Sequence, residues 1–370
     1  MSPVKILFFP GLFTSGGVET VVMNIFRNID KKKFHIDFCV PRDYEGQFDN
    51  EVKGYGSNVI EIPQIRHVGI ISYIRAVKRI IKENGPYQAV HVHSIHNGVY
   101  TIIASYLAGI KKRIYHVHNT DDPSIKNIPV PKIYRLIIKS LIKIMSTDYV
   151  ACGEEAADYI YGKKNKNVVI INNALDLSAF KAHPKIYAER FKEYLKADII
   201  IGNAARFTSV KNQSFLIKLL YEYSKKRDNV VLLLAGDGST RQKCEEYVKE
   251  LGLENSVKFL GNINDMPDFY NKLDLFILPS LHEGLPVTII EAQACGIPCV
   301  ISDTITKECD LGLNLVKSLS LDDSLENWIN LVNNMSIKKE YDNTKISKAI
   351  TDKGYNVDDM IKKITSVYLK

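Results

Sequence analysis

Apolar runs of four to six residues recur along the chain and alternate with longer stretches of helical periodicity. Val4–Phe9, His35–Val40, Val59–Ile62, Ala89–His93, Arg113–His118, Asp148–Cys152 and Val168–Asn172 read as strands. Strands separated by helical stretches in this way point to parallel crossover units. Between them, Thr20–Ile29, Ser72–Glu83 and 131–145 place apolar residues at steps of three and four, as crossover helices do. After a polar helix predicted over Pro184–Lys196 the series resumes with Ile199–Ala204, Asn229–Ala235, Val257–Leu260, Leu275–Leu278 and Pro298–Ile301. Signals weaken past Asp303, until a last helix is predicted over Val357–Tyr368. Strand alternating with helix, twice over, describes an α/β chain with two doubly wound sheets, and 370 residues suit two domains.

The most informative stretch runs from Leu275 to Asp303. Two strand runs flank a short helix, with Pro286 suited to a first helical position and Gly296 to the left-handed residue past the end. Ligands of such units bind at the carboxyl ends of the strands, where Glu283, Gly284 and Leu285 lie. Gly284 lets the backbone approach a ligand closely, and unpaired N–H groups at the helix start suit phosphate or sugar oxygens. Glu291 falls about 1.5 turns into the helix, where its carboxylate can accept hydrogen bonds from a vicinal diol such as a ribose. Arg206 and Lys211 flank the turn after Ile199–Ala204, close enough for both to reach one diphosphate. Gly16 and Gly17, between a first strand and a helix, permit a similar approach, although such a pair taken alone is more often a turn.

Ser280-x-x-Glu283-Gly284-Leu285-Pro286, with Glu291-Ala292 and Gly296-x-Pro298, resembles the E-x7-E signature of retaining nucleotide-sugar glycosyltransferases of family four. The resemblance covers nearly the whole chain and is strongest from Ile199 to Asp303. It implies the GT-B fold, two facing Rossmann-like domains with a cleft between them. The expected domains are an acceptor-side domain over 1–174, a linker and connecting helix over 175–198, a nucleotide-sugar domain over 199–345, and a terminal segment, 346–370, crossing back onto the first. By the same resemblance Glu283 orients the donor sugar, and Arg206 and Lys211, in the family's Arg-x4-Lys pattern, hold the diphosphate. Gly16 and Gly17 line the cleft. His118, before Asn119-Thr120, reaches the donor sugar, with His116 the alternative if the register shifts by two. Gly236, of a Gly-x-Gly, lies beneath the nucleotide; Ile263 reads the base; Gly284, Leu285, Pro286 and Glu291 complete the donor site.

The Gly-Gly-Val-Glu loop and 301–308 look most like capsule and exopolysaccharide enzymes. The expected activity is transfer of a hexosyl or N-acetylhexosaminyl group from a nucleotide diphosphate sugar, a UDP-sugar first, to a growing, lipid-linked glycan. Another GT-B enzyme such as a nucleotide-sugar epimerase, or a non-catalytic sugar-nucleotide-binding subunit, is the alternative. A dehydrogenase is disfavoured by the missing three-glycine fingerprint. No Asp-x-Asp motif ends a strand, so neither metal nor other cofactor is expected, and fixed cations would stabilise the leaving diphosphate.

Charge adds a location. The net charge of +7 is uneven: residues 1–175 carry 23 Lys/Arg against 15 Asp/Glu, and the remainder 26 against 27. The basic half calls for an acidic partner, and no zinc-finger spacing, RNA-binding aromatic motif or Arg-rich tract supports nucleic acid. Within it, Lys132, Arg135, Lys139 and Lys143 share one face of a helix whose other faces are aliphatic. Such a helix either packs on the core with its lysines snorkelling or faces anionic lipid, here the inner face of the cytoplasmic membrane. His91, His93, His96, His116 and His118 lie near strand ends without cysteine partners, and packing or hydrogen bonding is expected of them rather than metal. Six cysteines without paired spacing, no apolar run of membrane-spanning length and no signal peptide's apolar region lead to the expectation of a cytoplasmic protein, peripheral to the membrane.

Overall fold

A computed structural model describes the chain except residues 1, 12, 14–16, 43–45, 94–97, 119–131, 164, 166, 184, 228, 264 and 337–341, with backbone alone for 132 and 185–187. Two compact units result: Met1–Ala174 with Val357–Lys370, and Leu175–Asn356. Residues 175–198, read above as a linker, and 346–356, read with the terminal segment, thus fold with the second unit. Only the last helix, Val357–Leu369, belongs to the first, where Met360 and Ile364 share a core with Val22 and Phe26 of the helix Gly17–Asn28.

The first unit is a seven-stranded sheet of β1 (Val4–Phe9), β2 (Phe34–Val40), β3 (Val59–Glu61), β4 (Ala89–Val92), β5 (Lys112–Val117), β6 (Asp148–Ala151) and β7 (Val168–Ile170). The strand order is β3-β2-β1-β4-β5-β6-β7 and every pairing is parallel. The second contains β8 (Ile199–Ala204), β9 (Val230–Ala235), β10 (Val257–Gly261), β11 (Leu275–Leu278), β12 (Cys299–Ser302) and β13 (Val316–Leu319), ordered β10-β9-β8-β11-β12-β13 and again wholly parallel. Both faces of each sheet are covered by apolar clusters, which is why its central strands are rich in apolar residues.

In each unit the order reverses beside the first strand, between β1 and β4 and between β8 and β11. At such a switch point the loops leaving the two strands diverge and open a crevice at the carboxyl edge. In the second unit those loops carry Arg206 with Lys211, and Ser280 with Glu283. The sequence signals missed β13, an edge strand only partly buried, and the helices Leu325–Met335 and Asn343–Asp352. The helix Leu325–Met335 announces itself by a cap: Ser324 accepts from the Asn327 N–H, and Trp328 of its first turn is fully buried.

Candidate active site

The loop leaving β8 is shaped by the glycines that follow β9. Gly236 sits at φ +119°, and a Cβ there would lie 2.2 Å from the Ala205 carbonyl oxygen. A Cβ on Gly238 would lie 2.3 Å from that of Phe207. The Phe207 N–H donates to the Asp237 carbonyl at 3.0 Å, so the two loops are laced backbone to backbone. Gly236, expected beneath a nucleotide, is therefore first a packing position that lets one loop support the turn bearing Arg206. Arg206 itself is exposed, and its guanidinium has no partner among the described residues.

After a single 3-10 turn, Ser209–Lys211, the chain reverses through Asn212 in the left-handed conformation at φ 56°. Two bonds then clip this turn to the loop leaving β11. Leu281 N–H donates to the Val210 carbonyl at 2.8 Å, and Asn212 Nδ2 donates to that of Pro279 at 3.2 Å. The clip brings Lys211 Nζ to 2.5 Å from Glu283 Oε1, and Ser280 Oγ donates to the same oxygen at 2.6 Å. Ser280 is held in turn, its carbonyl accepting from Ser302 Oγ at 2.5 Å and Thr304 Oγ1 at 2.8 Å. Both donors converge on Oε1, leaving Oε2 to accept from a ligand. Lys211, expected to serve a diphosphate alone, is thus also the counter-ion of Glu283.

The helix after this loop is Val287–Ala294. Pro286, expected at the first helical position, is instead the extended, buried residue before it, at ψ 99°. Pro286 supplies no side-chain cap, and Ile289 N–H bonds the Pro286 carbonyl at 3.1 Å, so among the described residues no hydrogen bond is seen for the N–H groups of Val287 and Thr288, which suit an anion. At the other end Gly296 N–H bonds the Gln293 carbonyl and Ile297 N–H that of Ala292, the paired closure that a left-handed Gly296, at φ 69°, allows. Glu291 lies within the helix and is buried, its Oε2 accepting from Tyr270 O–H at 2.7 Å. Burial pushes its carboxyl up to about 7, against the pull of the Tyr270 hydrogen bond. Burial likewise raises the Tyr270 phenol well above its ordinary range, with the Glu291 charge adding to it. Leu285 and Ile263 are partly buried and pack against the second unit's core, while Gly284 opens onto free space.

In the first unit, Gly17 opens the helix Gly17–Asn28, and among the described residues a Cβ there would meet nothing within 4 Å; Gly16 lies outside the described residues, as do His96 and Asn119-Thr120. His118 stands just past β5 and is buried, its Nε2 2.9 Å from His93 Nδ1. His116, the alternative to His118, lies within β5, and neither of its ring nitrogens has a partner among the described residues. His91 Nδ1 meets Tyr368 O–H of the terminal helix at 2.8 Å. The four rings pack in one cluster, and burial lowers the pKa of each, that of His118 to about 3. His118 is therefore a neutral hydrogen-bonding group. The ring nitrogens of His91, His93 and His116 lie within 4.8 Å of one another, but two of these rings already spend one nitrogen on Tyr368 or His118.

The basic helix, Lys132–Met145, divides its cations. Arg135 is exposed, Lys143 is half-buried, and the side chain of Lys132 lies outside the described residues. Lys139 is not free to face outward: its ammonium sits 3.6 Å over the ring of Tyr159. Among the described residues no helix is long and apolar enough to cross a membrane, and all six cysteines are buried and unpaired.

Sequence reasoning missed Tyr270, whose only signal is a place in the helix Met266–Asn271 that packs beside Val287–Ala294. It also missed the task of Ser280, which the Ser-x-x-Glu spacing of a capping box could have raised.

Two parallel-sheet Rossmann-like units, the second with cations and a carboxylate at its switch point, are those of the GT-B fold. The family model described as Glycosyltransferase Family 4 matches residues 15–179, and that described as Glycosyl transferases group 1 matches 187–317. A putative glycosyltransferase, EpsF of Bacillus subtilis (strain 168), is 34% identical over 358 residues, covering 95% of this chain and 93% of that protein. The chain therefore belongs to the family-four, group 1 glycosyltransferases. An Escherichia coli UDP-Gal:alpha-D-GlcNAc-diphosphoundecaprenol alpha-1,3-galactosyltransferase is 25% identical over 400 residues, covering 100% of this chain and 97% of that enzyme. Among solved structures, Anabaena HepE in complex with UDP and glucose superposes with TM-score 0.79 at 21% identity, covering 99% of this chain and 100% of that one.

Proposed function

We propose that the protein is a retaining glycosyltransferase that moves a hexosyl or N-acetylhexosaminyl group from a UDP-sugar to a growing, lipid-linked capsule or exopolysaccharide glycan. The observation that carries the reading is Glu283, fixed through Oε1 by Lys211 and Ser280 beside an uncapped helix start and an unpaired Arg206. In this reading the helix-start N–H groups, Arg206 and Lys211 receive the diphosphate and stabilise the charge that develops as the sugar departs, without a divalent ion. Glu283 Oε2 accepts from a hydroxyl of the donor sugar and orients it. Glu291 takes the ribose hydroxyls. No first-unit carboxylate stands out as a nucleophile, so the departing phosphate takes the acceptor's proton and the acceptor oxygen bonds to the anomeric carbon from the same face. His118, neutral and backed by His93, hydrogen-bonds the donor sugar.

The named relatives support the substrate class: one acts on a diphosphoundecaprenol-linked sugar, and another is a capsular polysaccharide enzyme of Staphylococcus aureus, CapH. A lipid-linked acceptor places the protein at the cytoplasmic face of the membrane as a peripheral enzyme. A thermal-shift panel of nucleotide sugars tests the donor, since a ligand at 100 times its Kd stabilises by about 2.7 kcal/mol. Incubating the stabilising donor with a polyprenyl diphosphate glycan, and reading the anomeric proton coupling of the product, tests acceptor and stereochemistry. Absence of a shift with every UDP-sugar overturns the donor assignment, and an inverted anomer overturns the mechanism.

A further inference from the structure

The aliphatic residues of the helix Lys132–Met145 do not all face the core. Ile138, Leu141, Ile142 and Met145 pack against the first unit's sheet. Ile133, Leu136, Ile137 and Ile144 point the other way, with 63%, 60%, 50% and 74% of their surface exposed. At 3.6 residues per turn these four, with exposed Ser140, make one outward stripe. Arg135, Lys139 and Lys143 form a row between the stripe and the buried side. The helix has three sectors, packed, basic and exposed aliphatic, where a helix that only packs on a core needs two. Ile70 and Ile71, 46% and 67% exposed, begin the helix Ile70–Asn84 in the same layer of helices, at the same carboxyl-edge end of the sheet as Ile133.

We propose that this stripe inserts into the apolar boundary of an anionic lipid surface, with Arg135 and Lys143 beside it meeting the headgroups. Aliphatic side chains that escape water beside cations are what an interfacial helix presents. The charge pattern chooses lipid over a second copy of the chain. Residues 132–145 contain no Asp or Glu, so a two-fold interface built on this face would set its cations against themselves. The proposal rests on the lipid-linked acceptor reading for its purpose, and adds to it a mode of attachment that salt does not abolish. Attraction through the basic row alone would be screened, because at 1 M salt charges act over only about 3 Å.

The test floats the full chain with phosphatidylglycerol-containing vesicles and with phosphatidylcholine vesicles, at low salt and at about 1 M salt, where screening is nearly complete. The wild type is expected to float on anionic vesicles at low salt and to keep a bound fraction at high salt. The combined variant Ile133→Ser, Leu136→Ser, Ile137→Ser, Ile144→Ser should bind roughly a hundredfold more weakly at high salt, from the apolar surface removed. These side chains are exposed, so its far-ultraviolet circular dichroism, UDP affinity and donor hydrolysis should match the wild type. A single Ile137→Trp reporter should shift to shorter wavelength and be quenched by brominated lipid, whereas Trp328, fully buried in the second unit, should not. Complete release of the wild type at high salt, or no quenching of the reporter, overturns insertion. So does a concentration-dependent dimer that the serine variant abolishes while the wild type fails to float. Transfer to a short-chain, water-soluble acceptor separates the two readings. Transfer without flotation sinks this inference alone, and flotation without transfer to any lipid diphosphate glycan sinks the acceptor reading alone.

Discussion

Replacing Glu291 with Gln should stabilise the ligand-free protein while weakening its hold on UDP, and the balance should turn with pH. In the fold, burial raises this carboxyl from an ordinary 4.5 to about 7. Between those values the folded protein keeps a proton that the unfolded chain has lost, so stability falls as pH rises through the window. At about 1.4 kcal/mol per pH unit the loss amounts to at most about 3 kcal/mol above pH 7. Gln has the same shape, can still accept from Tyr270 O–H, and carries no charge to desolvate. The variant should therefore match the wild type near pH 4.5 and exceed it at pH 8, by up to about 5–10 °C in the melting of a domain this size. Binding should run the other way. The ionised carboxylate is the stronger acceptor for ribose hydroxyls, so the wild type's affinity for UDP should gain on the variant's between pH 6 and 8. The titration of UDP itself is common to both proteins and cancels in that ratio. A 2′,3′-dideoxy analogue should erase the difference. Differential scanning fluorimetry across pH and calorimetry with both nucleotides make the comparison. A stability gap independent of pH, or a Gln variant less stable at pH 8, would refute a desolvated Glu291. Equal losses for UDP and the dideoxy analogue would make the residue structural.

Three further outcomes are expected. Arg206→Ala and Lys211→Ala should each lower turnover by about 10²–10³ while affecting uridine binding far less, and unchanged turnover in both would remove them from the chemistry. Activity should survive EDTA; loss with rescue by magnesium or manganese would give the diphosphate a metal partner. Gly236→Ala forces a side chain to within 2.2 Å of the Ala205 carbonyl at a positive φ, so it should loosen the Arg206 turn and cut turnover together with stability. Wild-type melting and kinetics in that variant would show the loop contact to be dispensable.

The sheets were legible because their central strands are buried and rich in apolar residues, and because the helices between them carry clear periodicity. β13 was not, since an edge strand covered on one side shows neither signal. Nor was the division of the second unit, whose claim on residues 175–198 depends on contacts such as Lys192 with Asp274, 2.7 Å apart. At the site, residue type and spacing marked Glu283, Glu291, Arg206 and Lys211. They could not show that Lys211 pairs with Glu283, because that contact is made by the Leu281–Val210 and Asn212–Pro279 clips between loops about 70 residues apart. The basic helix misled in a specific way: its periodicity identifies a basic row but does not say which aliphatic residues face the sheet, and half of them do not.

Glu283 and Glu291 share one motif but occupy opposite electrostatic conditions, and that contrast explains the spacing between them. Glu283 lies in the loop before the helix, where an ammonium and a hydroxyl both reach Oε1. Both donors belong to the fold itself, which suits the sugar-orienting role proposed for Glu283. Glu291 lies inside the helix, enclosed, with the neutral Tyr270 its one described donor, and near pH 7 it is poised between charged and uncharged forms. Such a group gains most from a ligand that brings its own donors. The seven intervening residues place the helix start between a carboxylate paired with an ammonium and one enclosed beside a phenol.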